Sequence, residues 1–353
     1  MRAPALLIAC ALVAGLASPT DAQSEPVAAT ESRDFAPLVG RLIDGFLRPA
    51  HADLVAAARG HGADWQRFCS ARERAGLERV AASFRRLADA WARIEFVRYG
   101  PITEDFRAER INFWPDKRNA TTRGLAGLLA ADAPEPTVAT VRAASAATQG
   151  LPALERLLFD PGAAERLVAA KDEGARACAV GRAVAGNVAE VAEAVAAGWE
   201  PLAEAVKTDR ALAREAAARL TTDLLGEFQT LIDAKLLPAM GKAIEAAKPE
   251  ALEGRHAGRV RESFARPLAG LEEAAKLLAG SDPQGATALA TLATARSIAE
   301  GLPDDFAAGL AQPKRRSKAI LLLDALRAAQ DAALADLPPL VGITVGFNSR
   351  DGD

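Results

Sequence analysis

The chain has 353 residues, with 43 Lys and Arg against 46 Asp and Glu, a formal net charge of −3 at pH 7. This balance excludes the strongly basic surface of a typical nucleic-acid-binding protein, so we predict no nucleic-acid partner. Aromatic residues make up only 5% of the chain, alanine is abundant and few stretches alternate like strands, so the composition predicts an all-α protein.

The N-terminus has the features of a secretory signal. An apolar stretch from Ala5 to Ala17 follows a basic start and is too short to span a membrane, and small residues favour cleavage after Ala22. We predict a signal peptide over 1–22, a flexible leader over 23–33, a periplasmic or cell-envelope location and no transmembrane span after cleavage. A retained N-terminal anchor is the alternative. Lipoprotein anchoring through Cys10 is disfavoured, because this cysteine comes too early.

Two cysteines, Cys69 and Cys178, remain after cleavage. In an exported protein such a pair suggests one disulfide, and two buried free thiols are the alternative. Closing a loop of about 110 residues would stabilise the fold by roughly 4 to 5 kcal/mol in the chain-entropy model.

Helical periodicity begins at Phe35, and Pro49 is predicted to kink or end this first helix. The run His61-Gly62-Ala63-Asp64 is predicted to be a break, with Asp64 as the N-cap of the next helix. Later breaks are predicted at 131–136, 248–249, 281–285 and 301–305, and Ser317 is a candidate cap for the last helix.

The clearest helical pattern steps by three and four through Leu77, Val80, Phe84, Leu87, Trp91 and Ile94. Arg98 takes the next position of this apolar seam. One interpretation is that its side chain reaches water at the helix end. The other is that Arg98 lines a buried polar site, flanked by Glu95 and by Tyr99, the only tyrosine. Further helical patterns run through Val184, Val188, Val191 and Val195, and from Leu212 to Ile232.

Three motifs lie in order along the chain: Trp114-Pro115-Asp116 within 110–119, Gly150-x-Pro152-x-x-Glu155, and the tail Gly346-Phe347-Asn348-x-x-Asp351-Gly352-Asp353. They resemble the Trp-Pro segment, the G-x-H-x-x-E signature and the G-F-N-x-x-D-G-D tail of the imelysin family, bacterial envelope proteins classed with metallopeptidases. The resemblance spans roughly Phe35 to Asp353. It departs from the family at one position, where Pro152 replaces the signature histidine.

The resemblance implies a fold of two related helical bundles packed together, and the sequence contains an internal echo. Leu42–Ala50 and Leu231–Ala239 are identical at six of nine positions. We therefore predict two pseudo-repeated bundles, an N-terminal one over 34–207 that carries the signature and a C-terminal one over 208–353 that carries the tail. Chance similarity in an alanine- and leucine-rich chain is the alternative.

The signature implies that its histidine and glutamate bind a metal, but Pro152 has no lone pair to donate. We therefore expect no working metallopeptidase and name no catalytic residue. None of His51, His61 and His256 belongs to a metal-type helical pair, and His61 and His256 are predicted to be exposed loop histidines. No serine-nucleophile elbow or phosphate loop is present.

Polar residues that could still converge are predicted as a binding site, with Glu155 and Asp351 as metal ligands. The predicted cofactor-binding residues are Glu95, Arg98, Tyr99, Asp116, Arg118 and Asn348. Their hard oxygen donors would suit iron or another divalent or trivalent cation. One alternative is that the set forms a structural network without a ligand. For Glu155 the alternative is a residue that complements a helix dipole, and for Asp351 it is a solvated tail residue.

Three functions follow as hypotheses. The first is a non-catalytic iron-binding or iron-uptake accessory protein, with envelope iron-uptake or redox proteins as partners, because some imelysin-like proteins belong to iron-uptake systems. The second is a secreted metallopeptidase. The third is an interaction protein without a ligand.

Overall fold

The structure, a computed structural model, describes residues 33–169 and 172–343. Within these ranges every regular element is a helix and no strand is present, which confirms the all-α prediction. The described residues from Asp34 onward belong to one compact unit. The signal peptide predicted over 1–22 and the tail that carries Asn348 and Asp351 lie outside the described residues. The division into bundles at 207/208 stays a prediction.

The first part of the chain contains two long helices, short helices around the signature, and then the longest helix of the molecule. These α-helices are α1 (Ala36–Leu42), α2 (Arg48–Ala71), α3 (Arg74–Ala92), α4 (Arg107–Ile111), α5 (Ala120–Leu129), α6 (Val138–Ala143), α7 (Leu151–Phe159), α8 (Ala163–Val168) and α9 (Asp172–Thr208).

The second part contains four helices of fifteen residues or more and two short ones. They are α10 (Arg210–Gln229), α11 (Leu237–Met240), α12 (Glu262–Ala279), α13 (Ala286–Glu300), α14 (Phe306–Gly309) and α15 (Pro313–Leu340). Short 3₁₀ helices cover Gly100–Phe106, Ala146–Thr148, Ile244–Ala246, Pro249–Ala251 and Pro283–Gly285, and π-helical turns cover Ile43–Leu47 and Thr230–Leu236.

The core is built from the apolar stripes of the long helices. All six residues of the predicted seam from Leu77 to Ile94 are buried; the first five lie on α3, and Ile94 lies in the turn that follows it. Helix α2 packs between α3 and α9, and α13 packs between α12 and α15. Gly270 lets α12 cross closely over the end of α3, because a Cβ there would lie 1.9 Å from the Arg93 carbonyl oxygen. None of the described helices is long and apolar enough to cross a bilayer.

The predicted disulfide between Cys69 and Cys178 is present and joins the end of α2 to the beginning of α9. The two Cα atoms lie 5.7 Å apart, and 109 positions separate the residues in sequence. It closes a loop that contains α3 and the whole signature region.

Pro49 does not end a helix, so that part of the prediction of a kink or an end is wrong, and the predicted break at 61–64 is wrong as well. Helix α2 follows the π-turn Ile43–Leu47 directly and runs through both positions. The wider turn ahead of Pro49 accommodates a residue without an N–H group. At His61 the helix continues because the imidazole is fully buried, with its Nδ1 2.9 Å from the Ser83 hydroxyl and its Nε2 accepting from the Trp65 indole N–H at 2.9 Å. Asp64 therefore lies inside α2 and is not a cap.

The two echo segments share the same local structure. Each contains a π-turn that ends directly before a helix with proline in its second position, Pro49 in α2 and Pro238 in α11. This likeness supports the predicted duplication. The last helix begins earlier than predicted: α15 starts at Pro313, whose fixed φ suits a first helical turn, and Ser317 lies inside it.

Candidate functional site

A cleft of about 450 Å³ lies where the signature helix α7 meets loops from the second part of the chain. Pro152 and Glu155, at the positions of the histidine and the glutamate of the signature, both line it. Arg156 on the same helix lines it too. The remaining walls come mainly from the Trp-Pro segment, the second π-turn and the loop before α12, among them Phe113, Trp114, Asp116, Lys117, Asp233, Glu250, Glu253, Arg255 and His256.

Local sequence explains how the signature reaches the cleft. Gly150 caps α7, and a Cβ there would lie 2.1 Å from the Ile111 carbonyl oxygen, so only glycine allows this close approach. Pro152 follows in the first turn of α7, where its missing N–H costs nothing. Pro152 and Glu155 are three positions apart, so both lie on the helix face that lines the cleft.

Glu155 is held by a contact with the second part of the chain. Its Oε1 accepts a hydrogen bond from the backbone N–H of Ala257 at 3.0 Å. Burial raises the pKa of Glu155, although the Ala257 hydrogen bond opposes that shift. No acidic residue lies in the first turn of α7, and Glu155 comes after that turn. Glu155 is therefore too far along the helix to complement its dipole.

Beside the cleft lies a group of polar residues that we call the lysine cluster: Glu95, Asn112, Glu227, Lys235 and Glu253. Glu95, Glu227 and Lys235 are buried, and Asn112 and Glu253 are partly buried. The Lys235 ammonium contacts the Glu95 carboxylate, lies 2.7 Å from Glu253 Oε2 and donates to the Ser263 carbonyl oxygen at 3.1 Å. Asn112 donates to the other oxygen of Glu253 at 2.8 Å. The Lys235 side chain is 1% exposed, so water contributes nothing to its solvation.

The charges of this cluster are strongly coupled. Burial alone would lower the pKa of Lys235, but Glu253 and Glu95 outweigh it and raise that pKa. Burial also favours the neutral form of the Glu95 and Glu227 carboxyls. The pKa of Glu95 therefore rises well above its usual range, and the pKa of Glu227 rises too. Burial opposes ionisation of Glu253 as well, but Lys235 holds its pKa below the usual value.

Sequence reasoning found Glu95 but missed Lys235, Glu253, Glu227 and Asn112. A signal for Lys235 was present in the internal echo, where it occupies the position of Phe46, and Phe46 is buried. A lysine at a core position of a repeat needs a buried counter-charge. Glu253 carries no such pattern, because it lies in an irregular loop beside Gly254, which has a φ of +72°.

The Trp-Pro segment covers the cluster. Lys235 Nζ lies 5.8 Å from the centre of the Trp114 ring, and the peptide bond between Trp114 and Pro115 is cis. Trp114 and Glu253 also line the cleft, so both residues connect the cleft with the lysine cluster.

The other predicted site residues are spread over several places. Asp116 lines the cleft, but its two oxygens accept the backbone N–H groups of Ala120 and Thr121 at 2.8 Å each, so it caps α5. Arg118 is exposed and does not line the cleft.

Arg98 and Tyr99 also lie away from the cleft. Helix α3 ends at Ala92, so Arg98 does not extend its seam; it is exposed, and its backbone N–H donates to Asp223 Oδ2 at 2.7 Å. Tyr99 is half-buried, and burial raises the pKa of its phenol. Of the six predicted cofactor-binding residues, Glu95 reaches the lysine cluster and Asp116 reaches the cleft.

The prediction of exposed loop histidines is wrong for both residues. His61 is fully buried within α2, and burial lowers its pKa to about 3. His256 lines the cleft, partly buried, with its Nδ1 2.9 Å from Asp160 Oδ1, and burial lowers its pKa to about 4. His51 is buried as well, with its Nδ1 2.7 Å from the Leu47 carbonyl oxygen, and burial lowers its pKa to about 4.

The described residues do not fit a hydrolytic metal centre. Such a centre needs three protein ligands, and no group of three or more His, Cys, Asp and Glu within 33–169 and 172–343 could hold a metal ion. At the signature itself Pro152 has no donor atom and one oxygen of Glu155 is engaged by Ala257.

Comparisons with known proteins agree with the fold. The family model described as imelysin matches residues 47–333. A crystal structure of an imelysin-like protein from Psychrobacter arcticum 273-4 is similar with a TM-score of 0.72 and 22% identity, covering 92% of this chain and 99% of that one. A candidate iron-regulated protein A precursor from Parabacteroides distasonis ATCC 8503 is similar with a TM-score of 0.68 and 13% identity, covering 90% and 98%. No curated protein matches the chain.

Proposed function

The chain belongs to the imelysin family, and from this premise we propose that it is an exported, non-catalytic member that binds iron as cargo for an uptake system of the cell envelope. The observation that carries the proposal is the placement of Pro152. It lines the cleft beside Glu155 at the position where the family signature has a metal ligand. The chain therefore keeps the cleft but lacks the histidine that metal-dependent hydrolysis would need as a ligand.

The size and chemistry of the cleft support a binding role. A volume of about 450 Å³ lies within the range of small-ligand sites and is far larger than a single ion requires. Carboxylates from both parts of the chain line it, including Glu155, Asp233 and Glu250. Carboxylate oxygens are the donors that hard cations such as ferric iron prefer. We propose that Glu155 supplies one donor, and that Asp351 and Asn348 of the tail supply others.

The description of one structural relative points in the same direction. The Parabacteroides distasonis protein is described as an iron-regulated protein A precursor, a name that links it to iron and to export. On this basis we propose periplasmic location and partners among envelope iron-uptake or redox proteins.

Isothermal titration of the mature protein with ferric, ferrous, cupric and zinc ions tests the proposal. We expect saturable iron binding that Glu155→Gln weakens by at least about tenfold, as expected for loss of a charged ligand. Glu165→Gln is the matched control, because Glu165 is an exposed glutamate on α8 outside the cleft. If no iron binds saturably, the iron-binding proposal is wrong; if iron binds to wild type and both variants alike, the assignment of Glu155 as a ligand in the cleft is wrong.

A second candidate is an interaction protein without a ligand, and the lysine cluster favours it. Lys235 already contacts Glu95 and Glu253, so these carboxylates are engaged without any added ion. This candidate predicts that the same titrations give no saturable heat for any of the four ions.

A further inference from the structure

The mouth of the cleft carries four charged side chains that the protein itself leaves unpaired. Lys117 and Arg255 are the two cations, Asp233 and Glu250 are the two anions, and all four are exposed and line the cleft. The described residues form no ion pair with any of the four. Arg255 donates one hydrogen bond, from Nε to the backbone carbonyl oxygen of Glu250 at 3.2 Å, which leaves the Glu250 carboxylate unengaged.

The other charged side chains of the cleft already have partners within the protein. Asp116 caps α5, and Arg156 Nη1 lies 3.2 Å from Asp160 Oδ1. Glu253 lies 2.7 Å from the Lys235 ammonium. The charges that remain for a ligand are therefore two positive and two negative groups at the mouth, so a ligand that matches them carries charge of both signs.

Glu155, deeper in the cleft, offers one donor atom to a cation. Its Oε1 accepts from the Ala257 N–H, and its Oε2 accepts no hydrogen bond from the described residues, so this second oxygen remains available to a ligand. No group of three or more His, Cys, Asp and Glu within 33–169 and 172–343 could hold a metal ion. An ion that Glu155 binds therefore needs further donors. A cleft of about 450 Å³ has room for donors that arrive with the metal.

We propose that the cleft takes iron as an anionic ferric complex of a small polycarboxylate, whose own oxygens complete the coordination of the metal. This inference rests on the proposed function and adds the chemical class of the ligand to it. The metal lies towards Glu155, and Lys117 and Arg255 bind carboxylate oxygens of the chelator from two different walls. Ammonium and guanidinium groups are the side chains that bind carboxylates most strongly, and the guanidinium can do so through two parallel hydrogen bonds.

The two anions of the mouth give the site its selectivity. Asp233 lies on the second π-turn and Glu250 in the 3₁₀ helix Pro249–Ala251, so they approach the cleft from separate segments. Both repel a polycarboxylate that carries no metal, because such a molecule brings only negative charge to the mouth. The ferric ion neutralises part of that charge, so the loaded chelator is favoured over the empty one.

Isothermal titration of the mature, chelator-treated protein tests the proposal with four probes: ferric citrate, citrate alone, ferrous ion under anaerobic conditions, and a ferric trihydroxamate. We expect ferric citrate to bind saturably and at least about tenfold more tightly than citrate alone. Added sodium chloride should weaken this binding, because it screens the exposed charges of the mouth. The trihydroxamate has no free carboxylate for Lys117 and Arg255, so it should bind more weakly than ferric citrate.

Variants of the two cations separate the chelator from the metal. The double variant Lys117→Gln with Arg255→Gln should weaken ferric citrate binding by about tenfold, since it removes two exposed charge contacts. Binding of ferrous ion should not change, because neither side chain contacts the metal. Arg118→Gln is the matched control, because Arg118 is the exposed neighbour of Lys117 and does not line the cleft.

The outcomes distinguish this inference from the proposed function. If no form of iron binds saturably, both are wrong. If ferrous ion binds but ferric citrate binds no more tightly than citrate alone, the proposed function stands and the chelate inference is overturned. Equal ferric citrate binding by the double variant and by Arg118→Gln would overturn it as well.

Discussion

Replacing Lys235 by methionine removes the positive charge at the centre of the lysine cluster and keeps most of the side-chain volume. The wild-type ammonium contacts Glu95, lies 2.7 Å from Glu253 Oε2 and donates to the Ser263 carbonyl oxygen at 3.1 Å. Methionine makes none of these contacts, so the buried Glu95 and the partly buried Glu253 lose their counter-charge.

The expected loss is large because Lys235 and Glu95 are both buried, with side chains 1% and 6% exposed. Removing one member of a buried ion pair costs about 3 to 5 kcal/mol, against about 0 to 1 kcal/mol for an exposed pair. The pKa of Lys235 is raised, so its contribution is fully present below the unfolded-state lysine pKa and would be lost only as pH rises through the folded value. The whole effect should therefore be visible at pH 7.

Urea denaturation of the two proteins at pH 7 measures the difference in the free energy of unfolding. Lys276→Met is the matched control, because the Lys276 side chain is 56% exposed and its partner Glu272 keeps the Arg296 guanidinium at 2.7 Å when Lys276 is removed. We expect the control to lose less than about 1 kcal/mol. Adding Glu95→Gln to Lys235→Met should recover part of the loss by removing an unpaired charge. Equal losses for Lys235→Met and Lys276→Met would refute the reasoning.

Three further predictions follow from other parts of the molecule. Replacing Cys69 and Cys178 by serine should cost about 4 to 5 kcal/mol in the chain-entropy model for a separation of 109 residues, and an unchanged urea midpoint would contradict this. Burial raises the pKa of Asp223 to about 7, so the folded state holds a proton on Asp223 below that pH. The stability from this group therefore increases as pH falls from about 7 towards the unfolded-state value near 4, and Asp223→Asn should flatten this pH profile in urea denaturation. Pro152→His places an imidazole three residues before Glu155 and should raise zinc affinity by about tenfold or more, whereas equal zinc titrations of variant and wild type would show that the position is not a ligand slot.

The fold was largely predictable because the apolar seams have helical spacing. The stripe from Leu77 to Ile94 and the pattern from Leu212 to Ile232 both correspond to helices with buried faces. The failures occurred where local signals competed with tertiary burial. Gly62 and Asp64 suggest a break in isolation, but His61 is buried between Ser83 and Trp65, and that packing keeps α2 continuous.

The site was predictable only in part, because its residues converge from distant segments. The signature motif identified the cleft through Pro152 and Glu155. Lys235 and Glu253 are separated from Glu95 by more than a hundred residues, and no spacing rule connects positions on different helices and loops. The alignment of Phe46 with Lys235 in the internal echo is the signal that reasoning on repeats could have used.

The central claim is that the cleft of this chain binds a ligand and does not hydrolyse one. The direct test is cleavage of denatured casein by the mature wild-type protein with zinc supplied. We expect no cleavage above the protein-free control, because Pro152 cannot supply the metal ligand that the signature histidine would provide. Cleavage that a chelator abolishes, and that Glu155→Gln also abolishes, would contradict the claim.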